Sequence, residues 1–214
     1  INAVWEQKTY TVVFDETARE GYMDAVAFPC GEPAKLPKCT YEKAGYQFIG
    51  WAEESDKSVV VYEDESELLH DSEDSIVLYA VWTPVTYRVA YNANGGYGSM
   101  KSETVTYDET FKLAASVYRR PGYTFHGWST EKTGGKVYKD QASVKNLLTY
   151  KGTVTLYARW TENDVTITFH PNGGTVDRTS KVVGYGDLCG SLPTPVRDGY
   201  EFKGWFTSKS GKIQ

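Results

Sequence analysis

Short segments in which apolar and polar residues alternate predict β-strands at matching places along the chain. Residues 85–91 alternate in this way and are rich in Val, Thr and Tyr, which is typical of a half-buried strand. Asn94-Gly95-Gly96 follows and tolerates the positive φ angles of a tight turn, and residues 103–107 predict the returning strand. The same order predicts strands at 166–169 and 181–185, so the pattern indicates two equivalent hairpins.

Two longer phrases recur at a fixed spacing. Gly-Tyr-x-Phe-x-Gly-Trp stands at 45–51, 122–128 and 199–205, so each phrase begins 77 residues after the one before. Leu-Tyr-Ala-x-Trp ends at Trp82 and Trp160, and its tail Ala-Val-Trp already stands at 3–5. Such a period predicts tandem small domains. Their expected bounds are 1–5 for the tail of a preceding repeat, 6–82 for repeat 1, 83–160 for repeat 2 and 161–214 for repeat 3, which ends before its closing strand.

The Gly-Tyr-x-Phe-x-Gly-Trp phrase, called the signature below, predicts a strand with an irregularity. In a regular strand Tyr123 and Phe125 share one face, which we expect to line the core, and Trp128 lies on the other face. Trp128 would then cover the open side of the sheet or contact the next repeat. Gly127 predicts a bulge or a close backbone approach.

One short helix per repeat completes the predicted fold. Asp140 is suited to cap a helix at 141–148, and 63–69 occupies the same place in repeat 1. The closing strands are expected at 76–82 and 154–160. The chain is therefore predicted to be α+β, with a short helix packed on a small mixed sheet in each repeat.

The residues that could carry chemistry are few. Of the three cysteines, Cys30 and Cys39 lie close enough in sequence for a disulfide, and two free thiols are an equally favoured alternative. The ligand spacing of a zinc site is absent, and His70, His126 and His170 have no partner at a recognisable spacing. Common catalytic motifs are also absent, so we expect no enzyme activity, no metal and no cofactor.

Charge differs between the repeats. Residues 6–82 carry 17 acidic and 6 basic residues, 83–160 carry 5 and 11, and 161–214 carry 6 of each. An acidic repeat 1 beside a basic repeat 2 suggests self-association between chains, or electrostatic matching of neighbours. The basic repeat could also bind a polyanion such as an acidic glycan, and nucleic acid is not expected because no recognition motif accompanies the charge. The candidate polyanion-binding residues are Arg119, Arg120, Lys132, Lys136, Lys139 and Lys145.

The two Asn-Gly-Gly turns, the three signatures and the closing Leu-Tyr-Ala-x-Trp phrases together resemble the internalin-B B-repeat family, also called the Listeria–Bacteroides repeat. The resemblance implies a ubiquitin-like β-grasp fold, tandem arrays on secreted and cell-surface bacterial proteins, and no catalytic residue. In that fold the closing strand lies inside the sheet. Repeat 3 is therefore expected to be the least ordered, or to be completed by a strand from another chain.

The expected function is that of a non-catalytic extracellular spacer, stalk or adhesive module. The alternative is a glycan- or polyanion-binding accessory region of a larger secreted enzyme. A surface protein or glycan of the host or of the bacterium is the expected partner. No apolar run is long enough to insert into a membrane.

Overall fold

The structure is a computed structural model that describes residues 1–15 and 20–208. Every regular element of these residues is a strand. The strands are β1 (Thr9–Asp15), β2 (Val26–Pro29), β3 (Ala34–Lys35), β4 (Tyr46–Ala52), β5 (Glu67–Leu68), β6 (Ile76–Pro84), β7 (Thr86–Asn92), β8 (Glu103–Thr106), β9 (Phe111–Lys112), β10 (Tyr123–Ser129), β11 (Ser143–Val144), β12 (Thr153–Glu162), β13 (Asp164–Thr168) and β14 (Ser180–Gly184).

The first four-stranded sheet has the order β2-β1-β6-β4, and the second has the equivalent order β8-β7-β12-β10. In the first sheet β1 is antiparallel to β2 and parallel to β6, and β6 is antiparallel to the signature strand β4. The closing strand thus lies inside the sheet, where it hydrogen-bonds on both edges. The predicted strands are present in both sheets, with bounds shifted by one or two residues at most.

The prediction of an α+β, ubiquitin-like β-grasp fold with a short helix in each repeat is wrong, because every regular element of the described residues is a strand. The segments 63–69 and 141–148 contain instead the two-residue strands β5 and β11, which pair with β3 and β9. Glu65, Gln141 and Asn146 have φ angles of 56°, which a right-handed helix excludes. Asp140 accepts a hydrogen bond from the Ser116 amide at 3.0 Å rather than capping a helix.

The predicted irregularity of the signature strand is confirmed, and it corrects the expected facing of its side chains. In β10 the register against β12 shifts between Phe125 and Gly127, and β4 shifts at the same place. Because a bulge reverses the alternation, Phe125 and Trp128 come onto one side with their ring centroids 4.9 Å apart. Trp128 is fully buried, so it covers no open face.

The predicted tight turns are also confirmed. Asn94 and Gly95 have φ angles of 46° and 89°, and Asn172 and Gly173 have 48° and 94°. At Gly96 an added Cβ would lie 2.6 Å from the Trp160 ring and 2.8 Å from the Arg119 carbonyl oxygen, so only glycine fits there.

The chain divides into two compact units. The first comprises Ile1–Asn92, Lys101–Ala115 and Gln141–Leu156, and the second comprises Ala93–Met100, Ser116–Asp140 and Tyr157–Gln214. The first unit holds a core of large side chains around Trp51, which contacts Phe14, Tyr41 and Phe48. The buried members of this core are Tyr10, Val12, Phe14, Met23, Leu36, Tyr41, Trp51, Leu68, Leu78 and Ala80.

Repeat 3 forms only part of the same arrangement within its described residues. Its first strand β13 pairs with β14, and the Phe169 and Trp205 rings lie 5.1 Å apart, as Phe14 and Trp51 do at 4.9 Å. Its signature, however, is not a strand. The last six residues of the predicted repeat 3, 209–214, lie outside the described residues.

Candidate functional site: the joints between repeats

The first joint connects the signature of repeat 1 to the first hairpin of repeat 2, and it lies within the first compact unit. The Val85 amide donates to the Gly45 carbonyl oxygen at 2.9 Å, and the Tyr107 amide donates to the Val85 carbonyl oxygen at 2.9 Å. The Tyr46 and Tyr107 rings meet edge to face with centroids 5.7 Å apart. The Gly45 amide also donates to the Thr149 carbonyl oxygen at 2.8 Å.

The second joint, within the second compact unit, repeats this arrangement. The Asn163 amide donates to the Gly122 carbonyl oxygen at 2.9 Å, and the Tyr185 amide donates to the Asn163 carbonyl oxygen at 2.9 Å. The Tyr123 and Tyr185 rings are 6.1 Å apart, with an interplanar angle of 72° against 71° in the first joint. The two joints are therefore built from the same bonds between equivalent residues.

In both joints, the first glycine of the signature is the surface on which a tyrosine ring of the next repeat packs. An added Cβ would lie 2.2 Å from the Tyr107 ring at Gly45 and 1.9 Å from the Tyr185 ring at Gly122. Both glycines also have positive φ, at 81° and 75°. Any other residue at these positions would push the ring away, so the joint itself requires glycine.

A cation stacks on the second signature residue in all three repeats. Lys43 lies over Tyr46 at 3.9 Å, Arg120 over Tyr123 at 3.7 Å and Arg197 over Tyr200 at 3.9 Å from the ring centroid. Such contacts favour one orientation of the ring. Arg120, a candidate polyanion-binding residue, is thus half-buried and engaged at the second joint.

Asp108 adds a polar cluster to the first joint. Its carboxylate accepts hydrogen bonds from the Tyr46 hydroxyl and from Asn146 Nδ2, the latter at 2.9 Å, and Lys145 Nζ is 3.2 Å away. These bonds lower the pKa of Asp108 to about 2, and the hydrogen bond from Asn146 makes the largest contribution. The hydrogen bond with Asp108 is also the main cause of a raised pKa at Tyr46.

This cluster predicts an acid-sensitive contribution at the first joint. Because the folded-state pKa of Asp108 lies below its ordinary value of 3.8, its contribution is fully present above about pH 4 and is lost as the pH falls to about 2. We expect Asp108→Asn to lower the urea midpoint at pH 7, with a difference from the wild type that shrinks between pH 4 and pH 2. Glu109→Gln, which changes the adjacent exposed carboxylate, is the matched control; a difference unchanged at pH 2 would contradict the assignment.

The other candidate polyanion-binding residues lie at the surface. Arg119, Lys132, Lys136 and Lys139 are exposed, and Lys136 lies 5.0 Å from the centre of the Tyr138 ring. Lys145 is exposed and forms its ion pair with Asp108. Arg120 and Lys145 also contact joint residues, and all six side chains remain candidates.

The candidate disulfide partners Cys30 and Cys39 are free thiols, each half-buried against the core of repeat 1. Cys30 Sγ lies 3.4 Å from the Ser72 carbonyl oxygen, to which it donates. Burial, the largest cause, raises the pKa of the Cys39 thiol. Cys189 is a free and exposed thiol.

Two other kinds of site are absent from the part of the chain that the structure describes. Within residues 1–15 and 20–208, no three His, Cys, Asp or Glu side chains converge as metal ligands would. In the same part of the chain, no helix has the length and apolar character needed to span a lipid bilayer.

Sequence reasoning missed the joint tyrosines. The sequence pattern predicts Tyr107 and Tyr185 in hairpin strands, whereas the structure puts both just beyond β8 and β14 and against the preceding signature. A signal was present in the sequence, because both tyrosines follow the returning strand of a hairpin at equivalent positions. Nothing in a single sequence, however, shows that they touch a glycine 62 or 63 positions earlier.

The sheets and joints define a tandem array of small, strand-rich domains. The chain belongs to the Listeria–Bacteroides repeat domain family, which matches it in three copies at residues 10–81, 87–159 and 166–214. The resemblance inferred from the signature phrases is thereby confirmed.

Three relatives place this family membership in context. The chain is 30% identical over 172 residues to a protein of Evansella cellulosilytica provisionally named a Gly-rich membrane protein, covering 77% of the chain and 19% of that protein. It is 27% identical over 216 residues to a provisionally named membrane protein of the same organism, covering 95% of the chain and 29% of that protein. It is 37% identical over 117 residues to Internalin H of Listeria monocytogenes, covering 53% of the chain and 19% of that protein. The chain therefore spans less than a third of the length of these relatives, which are named as membrane proteins or as an internalin.

Proposed function

We propose that this chain is a non-catalytic spacer of a bacterial surface protein, exposed outside the cell, in which the joints limit bending between consecutive repeats. Support comes from the repeat family and from the relatives' names, which are those of membrane proteins and an internalin. The single observation that carries the spacer role is the joint, which is made twice from the same pair of backbone hydrogen bonds and the same pair of tyrosine rings.

The joint supports stiffness for a physical reason. A flexible linker needs free backbone dihedrals, as in Gly/Ser-rich segments. Here Val85 uses both its amide and its carbonyl group in hydrogen bonds across the first joint, and a tyrosine ring closes on the glycine beside it. Asn163 does the same at the second joint. A spacer whose joints hold one arrangement keeps its two ends at a defined distance, whereas a flexible one does not.

Stiffness is tested by distances between spin labels. Labels at Ser58→Cys and Lys112→Cys, with the three native cysteines replaced by serine, lie on either side of the first joint. We expect a single narrow distance distribution by pulsed electron spin resonance. Inserting Gly-Ser-Gly-Ser between Pro84 and Val85 should broaden it. A wild-type distribution as broad as that of the insertion variant would refute a spacer role that depends on stiff joints.

Adhesion through the basic face of repeat 2 is the second candidate, and the exposure of Arg119, Lys132, Lys136 and Lys139 favours it. Binding of this kind would weaken as salt is raised, because exposed charges are screened. The stiffness expected of the joints does not depend on it.

A further inference from the structure

Cationic residues surround the first Asn-Gly-Gly turn, and all of them belong to the second compact unit. An added Cβ on Gly95 would lie 3.6 Å from Arg120 Cζ. Asn94 Nδ2 donates to the Lys132 carbonyl oxygen at 3.1 Å, and Arg159 Nη1 donates to the same oxygen at 3.3 Å. Three cationic residues therefore lie around one turn. We call these five residues the turn site.

Arg120 is held in place without using its hydrogen-bond donors. Its guanidinium lies over the Tyr123 ring at 3.7 Å from the centroid, and the side chain is half-buried. Among the described residues, no acceptor takes a hydrogen bond from this side chain and no carboxylate pairs with it. Arg197, its equivalent in repeat 3, also lies over a tyrosine but donates to the Asn172 carbonyl oxygen at 3.0 Å. An ordered guanidinium with open donors loses little entropy when it binds an anion.

The other two cations of the turn site have no carboxylate partner either. No ion pair within the described part of the chain includes Lys132 or Arg159. In repeat 1, by contrast, Lys8 and Lys35 each pair with a glutamate. Because like charges repel, three cations around one turn raise the free energy of the empty site, and a bound anion would lower it.

The fold does not require these cations, as the equivalent positions of repeat 1 show. Arg159 pairs with Gly127 in the second sheet, and Val81 pairs with Gly50 in the first. Valine therefore holds the place of Arg159 in an otherwise equivalent sheet. Lys43 holds the place of Arg120 and keeps the ring contact without the guanidinium. The turn site is thus a property of repeat 2 and not of the scaffold.

Two further cations of the same compact unit are also specific to repeat 2. The isolated bridges of the two repeats show that Arg119 occupies the position of Glu42 and that Lys139 occupies the position of Glu63. All four side chains are exposed. A polymer with one anionic group at the turn site would therefore meet more cations within the same repeat, and its affinity would gain from each contact.

We propose that the turn site binds one anionic group of an acidic glycan, with Arg120 donating two hydrogen bonds to it and Lys132 and Arg159 contributing charge. The inference rests on the second candidate function, adhesion through basic repeat 2, and it identifies where the ligand binds. Arginine suits a carboxylate or a sulfate group because its planar fork presents parallel N–H donors. Arg159 was not among the candidates that the sequence suggested.

Nucleic acid fits the turn site less well than a glycan. Binding of single strands draws on aromatic rings on which successive bases stack. The rings of Tyr123 and Tyr138 each already carry a cation on one face, which is Arg120 in the first case and Lys136 in the second. An acidic sugar needs charge and hydrogen-bond donors instead, and the turn site supplies both.

Fluorescence anisotropy of a labelled heparin octasaccharide, titrated with the full chain, tests the proposal. We expect saturable binding that weakens as salt rises from about 50 to about 300 mM NaCl. Arg120→Gln should weaken binding about five- to tenfold and lower the slope of log affinity against log salt by about 1. Arg178→Gln, the same change at an exposed arginine outside the turn site, is the matched control and should change affinity less than about twofold. An octasaccharide of galacturonic acid, which carries carboxylates alone, shows whether sulfate or carboxylate is the preferred group.

Arg120→Lys separates the shape of the contact from its charge. Lys43 lies over Tyr46 at 3.9 Å, so a lysine can keep the ring contact and the positive charge. Without the guanidinium fork, binding should still weaken about three- to fivefold, while the urea midpoint stays that of the wild type. Wild-type affinity in Arg120→Lys would contradict the two hydrogen bonds.

Nuclear magnetic resonance locates the bound octasaccharide. The amides of Gly95 and Gly96 and the Arg120 Nε–H should shift when it is added. The amides of Gly173 and Gly174, in the equivalent turn of repeat 3, should shift less because Arg197 already donates to Asn172 there. Equal shifts at both turns would show that binding does not select the turn site.

The possible failures can be told apart. If the wild type binds but Arg120→Gln loses no more affinity than Arg178→Gln, the turn site is wrong while adhesion through basic repeat 2 stands. If the wild type binds neither octasaccharide at low salt, both are wrong. Tighter binding of single-stranded DNA of equal charge, with the same dependence on Arg120, would overturn the glycan as the ligand. The stiffness expected of the joints is independent of all three results.

Discussion

Replacing Trp51 with alanine is expected to unfold repeat 1. Trp51 is fully buried and its ring meets Phe14, Tyr41 and Phe48 at centroid distances of 4.9, 6.1 and 5.0 Å. Removing a buried tryptophan costs about 3–5 kcal/mol, a large share of the stability of a domain of this size. Urea unfolding followed by circular dichroism should show that the unfolding transition of repeat 1 is lost or moves to a much lower urea concentration.

Trp5→Ala is the matched control, because it makes the same chemical change at a side chain that is 90% exposed. Its unfolding free energy should stay within about 0.5 kcal/mol of the wild type. If Trp51→Ala proved equally harmless, the ring would not be the centre of the core. The recurrence of tryptophan in the signatures would then need another explanation, such as ligand binding.

Replacing Gly122 with alanine should have the second largest effect, because it strains the backbone and blocks the joint at once. Gly122 has φ of 75°, a conformation that costs an L-residue about 1–2 kcal/mol. Its new Cβ would also lie 1.9 Å from the Tyr185 ring, and overpacking of this kind costs about 1–3 kcal/mol more. The expected loss of unfolding free energy is therefore about 2–5 kcal/mol.

Gly199→Ala separates these two contributions. Gly199 holds the equivalent position with φ of 76° but has nothing within 4 Å of the new Cβ, so it should lose only the backbone part. Adding Tyr185→Ala to Gly122→Ala should restore part of the loss in a double-mutant cycle. Equal losses at Gly122 and Gly199, with no coupling to Tyr185, would show that the ring does not constrain the joint.

The two joints explain why the signature begins with glycine followed by tyrosine. Gly45 and Gly122 serve the contact with the next repeat, whereas Gly50 and Gly127 serve the bulge inside their own repeat. At Gly50 and Gly127 an added Cβ would lie 2.5 and 2.4 Å from the carbonyl oxygens of Tyr62 and Tyr138. One seven-residue phrase therefore encodes both the core of a repeat and its connection to the following one.

The strands were predictable because they depend on local information. The alternation in β7 and β12 and the Asn-Gly-Gly turns after β7 and β13 follow from side-chain preferences over a few residues. The helix prediction failed at Val144 and Leu68 because local information is ambiguous there: spaced apolar residues fit a helix as well as a short strand. Pairing of Val144 with Phe111 and of Leu68 with Ala34 decided the outcome.

The candidate sites also combine features that the sequence predicts with contacts that only the structure shows. A count of charges identifies the basic repeat, but it cannot show that Arg120 stacks on Tyr123 or that Lys145 pairs with Asp108. Those contacts join residues whose approach depends on the folded joint. Exposure of Lys132 and Lys139, by contrast, follows from their charge and needs little tertiary information.

By itself the sequence determined the repeat period, the family, most strand positions and the bulge glycines, because each is written in a short and recurring segment. Only the tertiary structure decided which face Trp128 takes, which segments are strands rather than helices, and which tyrosine rests on which glycine. These depend on pairings between residues that are distant along the chain, and such pairings are fixed only when the sheet closes and buries them.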